Sequence, residues 1–108
     1  MDDDFKTVYR ILKILKDNMD NEDFDTDLIS AKRLKISLPK WSRLIKMMAD
    51  SYYITGVTVQ YISGQSYPDI EMGYVELTLI GMEYLSENSV MQRIAKTLKG
   101  IKESVPGL

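Results

Sequence analysis

The hydrophobic positions in the first part of the chain recur with the 3.6-residue period of an α-helix. Residues 4–19 carry apolar side chains at alternating spacings of three and four, at Phe5, Val8, Leu12, Leu15 and Met19. Three further apolar residues, Tyr9, Ile11 and Ile14, widen this stripe to more than half of the helix girth. The pattern predicts a first helix that is packed between two layers of the fold.

Two more helices are predicted before residue 53. Thr26 or Asp25 can cap a short helix over about residues 27–33. Ser37 is a good N-cap, and Pro39 is tolerated in a first helical turn, so a third helix is expected over about residues 38–51.

The hydrophobic period changes from 3.6 to 2 after Tyr53, which indicates strands. One strand is expected over about residues 57–62 and a second over about residues 72–78, separated by a turn-forming segment. Thr78 is placed to cap a helix over residues 79–87, and Ser89 with Gln92 forms a capping-box pattern for a last helix over about residues 90–104.

This order of elements predicts an α+β fold of the winged helix-turn-helix type. The expected architecture is three helices, a two- or three-stranded β wing and two C-terminal helices. We expect residues 1–108 to form a single domain, with a helical half at 1–53, a wing at 54–78 and the C-terminal helices at 79–104.

Charge is sorted into blocks along the chain. Residues 1–27 have nine acids and four bases, residues 28–50 have six bases and one acid, residues 51–88 have five acids and no base, and residues 89–108 have four bases and one acid. The net charge of −2 and the pI near 5.1 make general polyanion binding unfavourable. A local positive face is still expected from the second block.

The composition argues against an enzyme and against a bound metal or cofactor. The chain has no cysteine and no histidine, so it lacks thiol nucleophiles, the usual general base and the commonest zinc ligands. The acidic loop at residues 20–27 does not fit the calcium-binding EF-hand pattern in any register. No apolar run is long enough to span a bilayer. The acidic N-terminus is unlike a secretory signal, so we expect a cytoplasmic protein.

Two segments carry a resemblance to a known family. Tyr52-Tyr53-Ile54-Thr55-Gly56-Val57 looks like the end of a winged-helix third helix, and Val75-Glu76-Leu77-Thr78-Leu79-Ile80-Gly81-Met82-Glu83-Tyr84-Leu85 looks like the corner that ends the wing. With Glu87-Asn88 and Lys99-Gly100-Ile101-Lys102, they resemble the YjcQ-like family of small bacterial and phage proteins. The resemblance covers most of the chain from residue 38 onward. It implies a winged-helix fold and a bacterial or prophage origin, with a role in the phage particle among those considered, but no catalytic or binding residues.

The third helix is the first candidate for function. Its apolar arc is expected to hold Leu38, Trp41, Leu44, Ile45, Met48 and Tyr52, with Trp41 in the core. Lys40, Arg43 and Lys46 fall on the opposite side, as in a recognition helix that enters the major groove of double-stranded DNA. Lys32, Arg33 and Lys35 lie just upstream and would add phosphate contacts. The alternative is that these bases form an ordinary solvated face.

The predicted wing favours a different function. It has no basic residue, and Asp69 and Glu71 near its tip would repel a phosphate backbone. A protein-interaction module that binds a protein partner and no DNA is therefore the alternative hypothesis. A DNA-binding protein would keep Lys40, Arg43 and Lys46 clear of carboxylates, whereas an interaction module would expose a sizeable apolar patch.

The last predicted helix is a candidate for self-association. Met91, Ile94, Leu98 and Ile101 follow heptad spacing, which favours a homodimer through the C-terminal helix. Two heptads are too few to hold a coiled coil alone. The alternative is that this stripe packs against the first helix of the same chain.

Overall fold

The computed structural model of the protein describes residues 3–100, with side chains described as far as residue 89. The elements in chain order are α1 (Asp3–Asp17), a 3-10 helix (Thr26–Ile29), α2 (Ala31–Leu34), α3 (Leu38–Asp50), β1 (Ile54–Gln60), β2 (Asp69–Leu77) and α4 (Leu79–Gly100). The α+β class predicted from the sequence is confirmed. The described residues contain four α-helices and one two-stranded antiparallel sheet.

Helix α1 contributes three side chains to the hydrophobic core. Its side chains Ile11 and Leu12 are fully buried, and Leu15 is nearly so. The helix contacts α3, α4 and β2, so the prediction that it is covered on more than one side is confirmed. Burying three large aliphatic side chains stabilises the fold by about 1.5–3 kcal/mol each.

The segment between α1 and α3 differs from the single short helix that was predicted. Asp25 caps the 3-10 helix by accepting a hydrogen bond from the Asp27 amide at 3.0 Å, and Ser30 caps α2 by accepting one from the Arg33 amide at 3.1 Å. Both capping residues have extended backbone. The second capping side chain therefore starts a new helix where the sequence pattern indicated a continuous one.

Helix α3 begins at Leu38 as the Ser37 cap predicts, because the Ser37 hydroxyl accepts a hydrogen bond from the Lys40 amide at 3.3 Å. Trp41 belongs to the core, and its indole Nε1 donates to the Ile29 carbonyl at 2.8 Å. This buried bond ties α3 to the 3-10 helix. The predicted apolar arc was too wide: Leu38 and Tyr52 are exposed at its two ends, since Tyr52 lies past the helix with a positive φ of 62°.

Strands β1 and β2 pair antiparallel, and both begin about three residues earlier than predicted. The register pairs Ile54 with Leu77 at one end and Gln60 with Asp69 at the other. Ile54 and Val75 are buried against the helices. The sheet therefore covers the core with one face.

A corner between β2 and α4 joins the two halves of the protein. The Thr78 amide donates to the Tyr53 carbonyl at 3.1 Å, and the Thr78 hydroxyl lies against the carbonyls of both Tyr52 and Tyr53. The same hydroxyl accepts a hydrogen bond from the Gly81 amide at 3.0 Å, so the predicted capping role of Thr78 is confirmed. Gly81 is required here because a Cβ would overlap the Tyr53 carbonyl oxygen.

The prediction of two C-terminal helices was wrong. Helix α4 continues from Leu79 to Gly100 without a break at Ser89. Asn88 bonds back to the Tyr84 carbonyl at 2.9 Å, and the sequence around Ser89 has no glycine or proline to stop the helix. None of the helices in residues 3–100 combines the length and apolarity needed to cross a membrane.

The corner gives a first prediction. Thr78→Val keeps the side-chain shape but removes the hydroxyl, which leaves the Gly81 amide uncapped. We expect the free energy of unfolding to fall by about 1–2 kcal/mol, measured by urea denaturation. Thr78→Ser keeps the hydroxyl and should lose much less. Equal losses in the two variants would show that methyl packing and not hydrogen bonding holds the corner.

Candidate functional site

The basic row of α3 lies on the solvent side of the helix, as predicted. Lys40 and Arg43 are exposed and Lys46 is half-buried, while Trp41 and Ile45 point into the core. The row is therefore accessible to a partner. The three basic side chains nevertheless interact with other groups of the protein.

Both lysines of the row form ion pairs with carboxylates. Lys40 Nζ lies 2.9 Å from Asp4 Oδ1 of α1, and Lys46 Nζ lies 2.5 Å from Asp50 Oδ2 one turn along α3. Arg43 donates to the Ser66 carbonyl, in the turn between β1 and β2, at 3.2 Å. All three basic side chains thus bind groups of the protein itself.

Lys46 lies in a negatively charged environment. The hydrogen bond to Asp50 raises the pKa of Lys46 above its ordinary value, and the charge of Asp50 and the nearby Tyr61 add to this effect. Lys46 therefore stays charged and paired at neutral pH. The interaction is exposed to solvent, so it contributes little to stability.

The upstream bases lie on and just after α2. Arg33 pairs with Asp27 at 3.1 Å. Lys32 and Lys35 are exposed, and Lys35 has a left-handed φ of 60° that ends the helix. Because α2 packs against α3, the two groups of bases lie on neighbouring helices.

The strand pair offers an acidic surface. Asp69 and Glu71 are exposed at the start of β2, where they lie opposite Gln60 and Thr58 of β1. No basic residue occurs between residues 51 and 88. The strands therefore supply no cation to contact a phosphate.

The predicted dimerisation residues fall outside the part of the chain whose side chains are described. Met91, Ile94 and Leu98 lie in α4 beyond residue 89, and Ile101 lies beyond residue 100. The homodimer through the C-terminal helix stays a prediction. Helix α4 does contact α1.

Two grooves, which sequence patterns did not indicate, flank the core. The first, here called the apolar groove, has a volume of about 410 Å³. It lies between α1, α3 and α4 and is lined mainly by apolar and aromatic side chains, among them Phe5, Val8, Leu44, Met47, Tyr53 and Tyr84. Phe5 and Met47 are both more than half exposed.

Tyr84 lines the apolar groove and carries a buried hydroxyl. Its ring packs against Tyr53 with a centroid distance of 4.9 Å, and its buried hydroxyl makes no hydrogen bond to any described residue. Burial raises the pKa of this hydroxyl, with a smaller contribution from Tyr53. One residue that lines the groove therefore carries a buried hydroxyl without a hydrogen-bond partner among the described residues.

The second groove, here called the acidic groove, has a volume of about 450 Å³. One wall is the end of α1 with the loop after it, between residues 15 and 24, and the other is residues 73–77 of β2. Its lining includes the exposed carboxylates Glu22, Asp23 and Glu76 and no basic side chain.

An irregularity in the sheet shapes the rim of the acidic groove. Between the Thr55–Glu76 and Val57–Met72 pairs, β1 has only Gly56, whereas β2 has residues 73–75. This β-bulge is close to the backbone of β1: Gly56 has a φ of 84°, and a Cβ there would overlap the Tyr74 carbonyl oxygen. The extra residues turn Tyr74 outward, where it is 93% exposed.

The sequence signal for these grooves is weak. Glycines at 56 and 73 within a strand pattern are typical of a bulge, but they do not indicate which side chain the bulge exposes. The grooves depend on which helix ends meet, and no local pattern reports that.

Comparison with known proteins supports the resemblance seen in the sequence. A family model described as YjcQ protein matches residues 9–104, which confirms the predicted family. No curated protein and no solved structure matches the chain.

The unsatisfied hydroxyl gives a second prediction. Tyr84→Phe removes a buried polar group without a partner, so the free energy of unfolding should stay unchanged or rise by up to about 1 kcal/mol at neutral pH. A raised pKa in the folded state means that stability is unaffected below the ordinary tyrosine pKa and falls above about pH 10. This fall should be smaller in Tyr84→Phe.

Urea denaturation of both proteins at neutral pH and above pH 10 measures the difference. Tyr53→Phe is the control, because it changes the stacked partner and keeps the Tyr84 hydroxyl. A loss of stability in Tyr84→Phe at neutral pH would mean that the hydroxyl does make a stabilising bond.

Proposed function

The chain belongs to the YjcQ protein family, and we propose that it is a protein-interaction module without enzymatic activity. One observation carries the proposal. The two lysines of the α3 row are already paired with Asp4 and Asp50, whereas a helix that contacts DNA is expected to keep its basic side chains clear of carboxylates. The absence of histidine and cysteine from the chain supports the non-enzymatic part.

We propose further that the fold is of the winged-helix type. The support is the order of a long helix, a short helix, the Ser37-capped α3 and an antiparallel strand pair. Arg43 adds to it, since its bond to Ser66 brings the turn of the strand pair against the middle of α3. In this geometry α3 and the turn present one joint surface.

The charge on that joint surface argues for a protein partner. Lys40 and Lys46 have carboxylates within ion-pair distance, and the strands add Asp69 and Glu71. A DNA backbone approaching α3 would meet these acids together with the bases. Large apolar and aromatic side chains are exposed elsewhere, notably Tyr74 and Leu79, and such side chains are what protein interfaces use.

DNA binding is the second candidate, and a specific observation favours it. Lys40, Arg43 and Lys46 lie on the open face of one helix, and exposed ion pairs are worth only about 0–1 kcal/mol. Phosphates could therefore replace the carboxylates at low salt. Binding of this kind would depend steeply on salt concentration.

A titration of the full chain against mixed duplex DNA separates the two candidates. The third prediction is that no binding is detected at about 50 mM or about 200 mM salt, measured by fluorescence anisotropy of labelled duplex. The variant Arg43→Glu/Lys46→Glu should behave like the unchanged protein.

The matched control is Lys13→Glu/Lys16→Glu, which makes the same change of charge on α1. DNA binding that disappears in the α3 variant, persists in the α1 variant and weakens steeply with salt would overturn the proposal. It would establish α3 as a DNA-contacting helix.

A further inference from the structure

One wall of the acidic groove is formed by β2, whose edge away from β1 has no strand partner among the described residues. Strand β2 pairs with β1 on one edge, and Gly73, which has no side chain, lines the groove with its backbone. Within the described residues, no backbone hydrogen bond joins β2 to the loop of residues 18–25 that forms the opposite wall. The groove therefore has the form of a slot beside an open strand edge.

An open strand edge is a template for an added strand. Residues 73–77 span at most roughly 17 Å, because the bulge at residues 73–75 shortens this part of the strand, and this length can pair with up to about five residues of an extended peptide. The floor suits such a segment, because Leu15 and Val75 are buried beneath it. Side chains of small or β-branched type would pack against this floor.

The negative charge of the acidic groove favours a basic partner segment. Glu22, Asp23 and Glu76 are exposed along it, and its lining has no lysine or arginine. Tyr74 stands on the rim with nearly its whole ring in solvent. An aromatic face beside carboxylates is a site for lysine or arginine, since the cation is attracted by both.

The spacing of these groups matches a β-strand. The exposure of β2 alternates from Tyr74 to Leu77, so Tyr74 and Glu76 lie on one face and Val75 on the other. A strand added beside them would bring its own alternate side chains opposite Tyr74 and Glu76. Basic residues two positions apart would therefore contact both groups.

We infer that the acidic groove binds an extended basic segment of a partner protein, which adds to the edge of β2 as a third strand. The inference rests on the proposed function, for which it names the interface and the chemistry of the partner. Backbone hydrogen bonds supply the attachment, and cations that alternate with small apolar residues supply the selectivity.

The test uses the full chain and a blocked, labelled peptide of about seven residues in which arginine and valine alternate. The fourth prediction is saturable binding in fluorescence anisotropy, with amide shifts in residues 73–77 and 21–24 by nuclear magnetic resonance. Glu76→Lys should weaken binding by about tenfold or more, because it places a like charge at the contact. Tyr74→Ala should also weaken it.

Glu71→Lys is the matched control, since Glu71 is also an exposed acid of β2 but does not line the groove. It should change binding by less than about twofold. Equal weakening by Glu71→Lys and Glu76→Lys would reduce the effect to general charge attraction and overturn the inference. So would the absence of binding, or amide shifts confined to the apolar groove.

Two other occupants of the acidic groove would give distinct results in this test. The basic C-terminal segment of the chain itself would compete with the peptide, so Lys99→Glu/Lys102→Glu would then bind the peptide more tightly than the unchanged protein. A second copy would appear as concentration-dependent dimerisation that the peptide reverses. Either result overturns the partner assignment.

A parallel titration with duplex DNA under the same conditions keeps the two proposals separate. Failure of the peptide to bind, with no DNA binding, would count against the acidic groove alone. Salt-sensitive DNA binding through α3 would count against the proposed function, whatever the peptide does.

Discussion

The corner at Thr78 is the constraint on which the rest of the structure depends. A single hydroxyl caps the first turn of α4 and lies against the carbonyls that end the α3 segment. Gly81 lets the helix approach the Tyr53 carbonyl more closely than any side chain would permit. The corner thus sets the position of α4 relative to α3 and β1. Tyr53 and Tyr84 meet because of it, and their contact forms one end of the apolar groove.

The charge that the protein surface presents depends more on which charged side chains are paired than on how many there are. Helix α3 carries three bases in a row, yet Asp4, Asp50 and the Ser66 carbonyl occupy them. These contacts are weak because they are exposed. Their effect is to lower the local positive potential, so that α3 presents a mixed face. No basic side chain lines the acidic groove, so the charge along its lining stays negative.

The sheet shows how a local irregularity can create a surface. A regular pairing of β1 and β2 would alternate side chains evenly between the core and solvent. The extra residues opposite Gly56 break this alternation and turn Tyr74 outward. The same bulge keeps Val75 in the core. An exposed aromatic residue and a buried anchor are therefore neighbours in sequence.

The sequence by itself determined the features that depend on near neighbours in the chain. The 3.6-residue period placed α1, the hydroxyls of Ser37 and Thr78 placed the starts of α3 and α4, and Trp41 was correctly assigned to the core. Only the tertiary structure decided the pairing of Lys40 with Asp4, the bulge at Tyr74 and both grooves. The physical reason is range: caps and helical periods act over three or four residues, whereas ion pairs between helices and the space between elements depend on packing of segments distant in sequence.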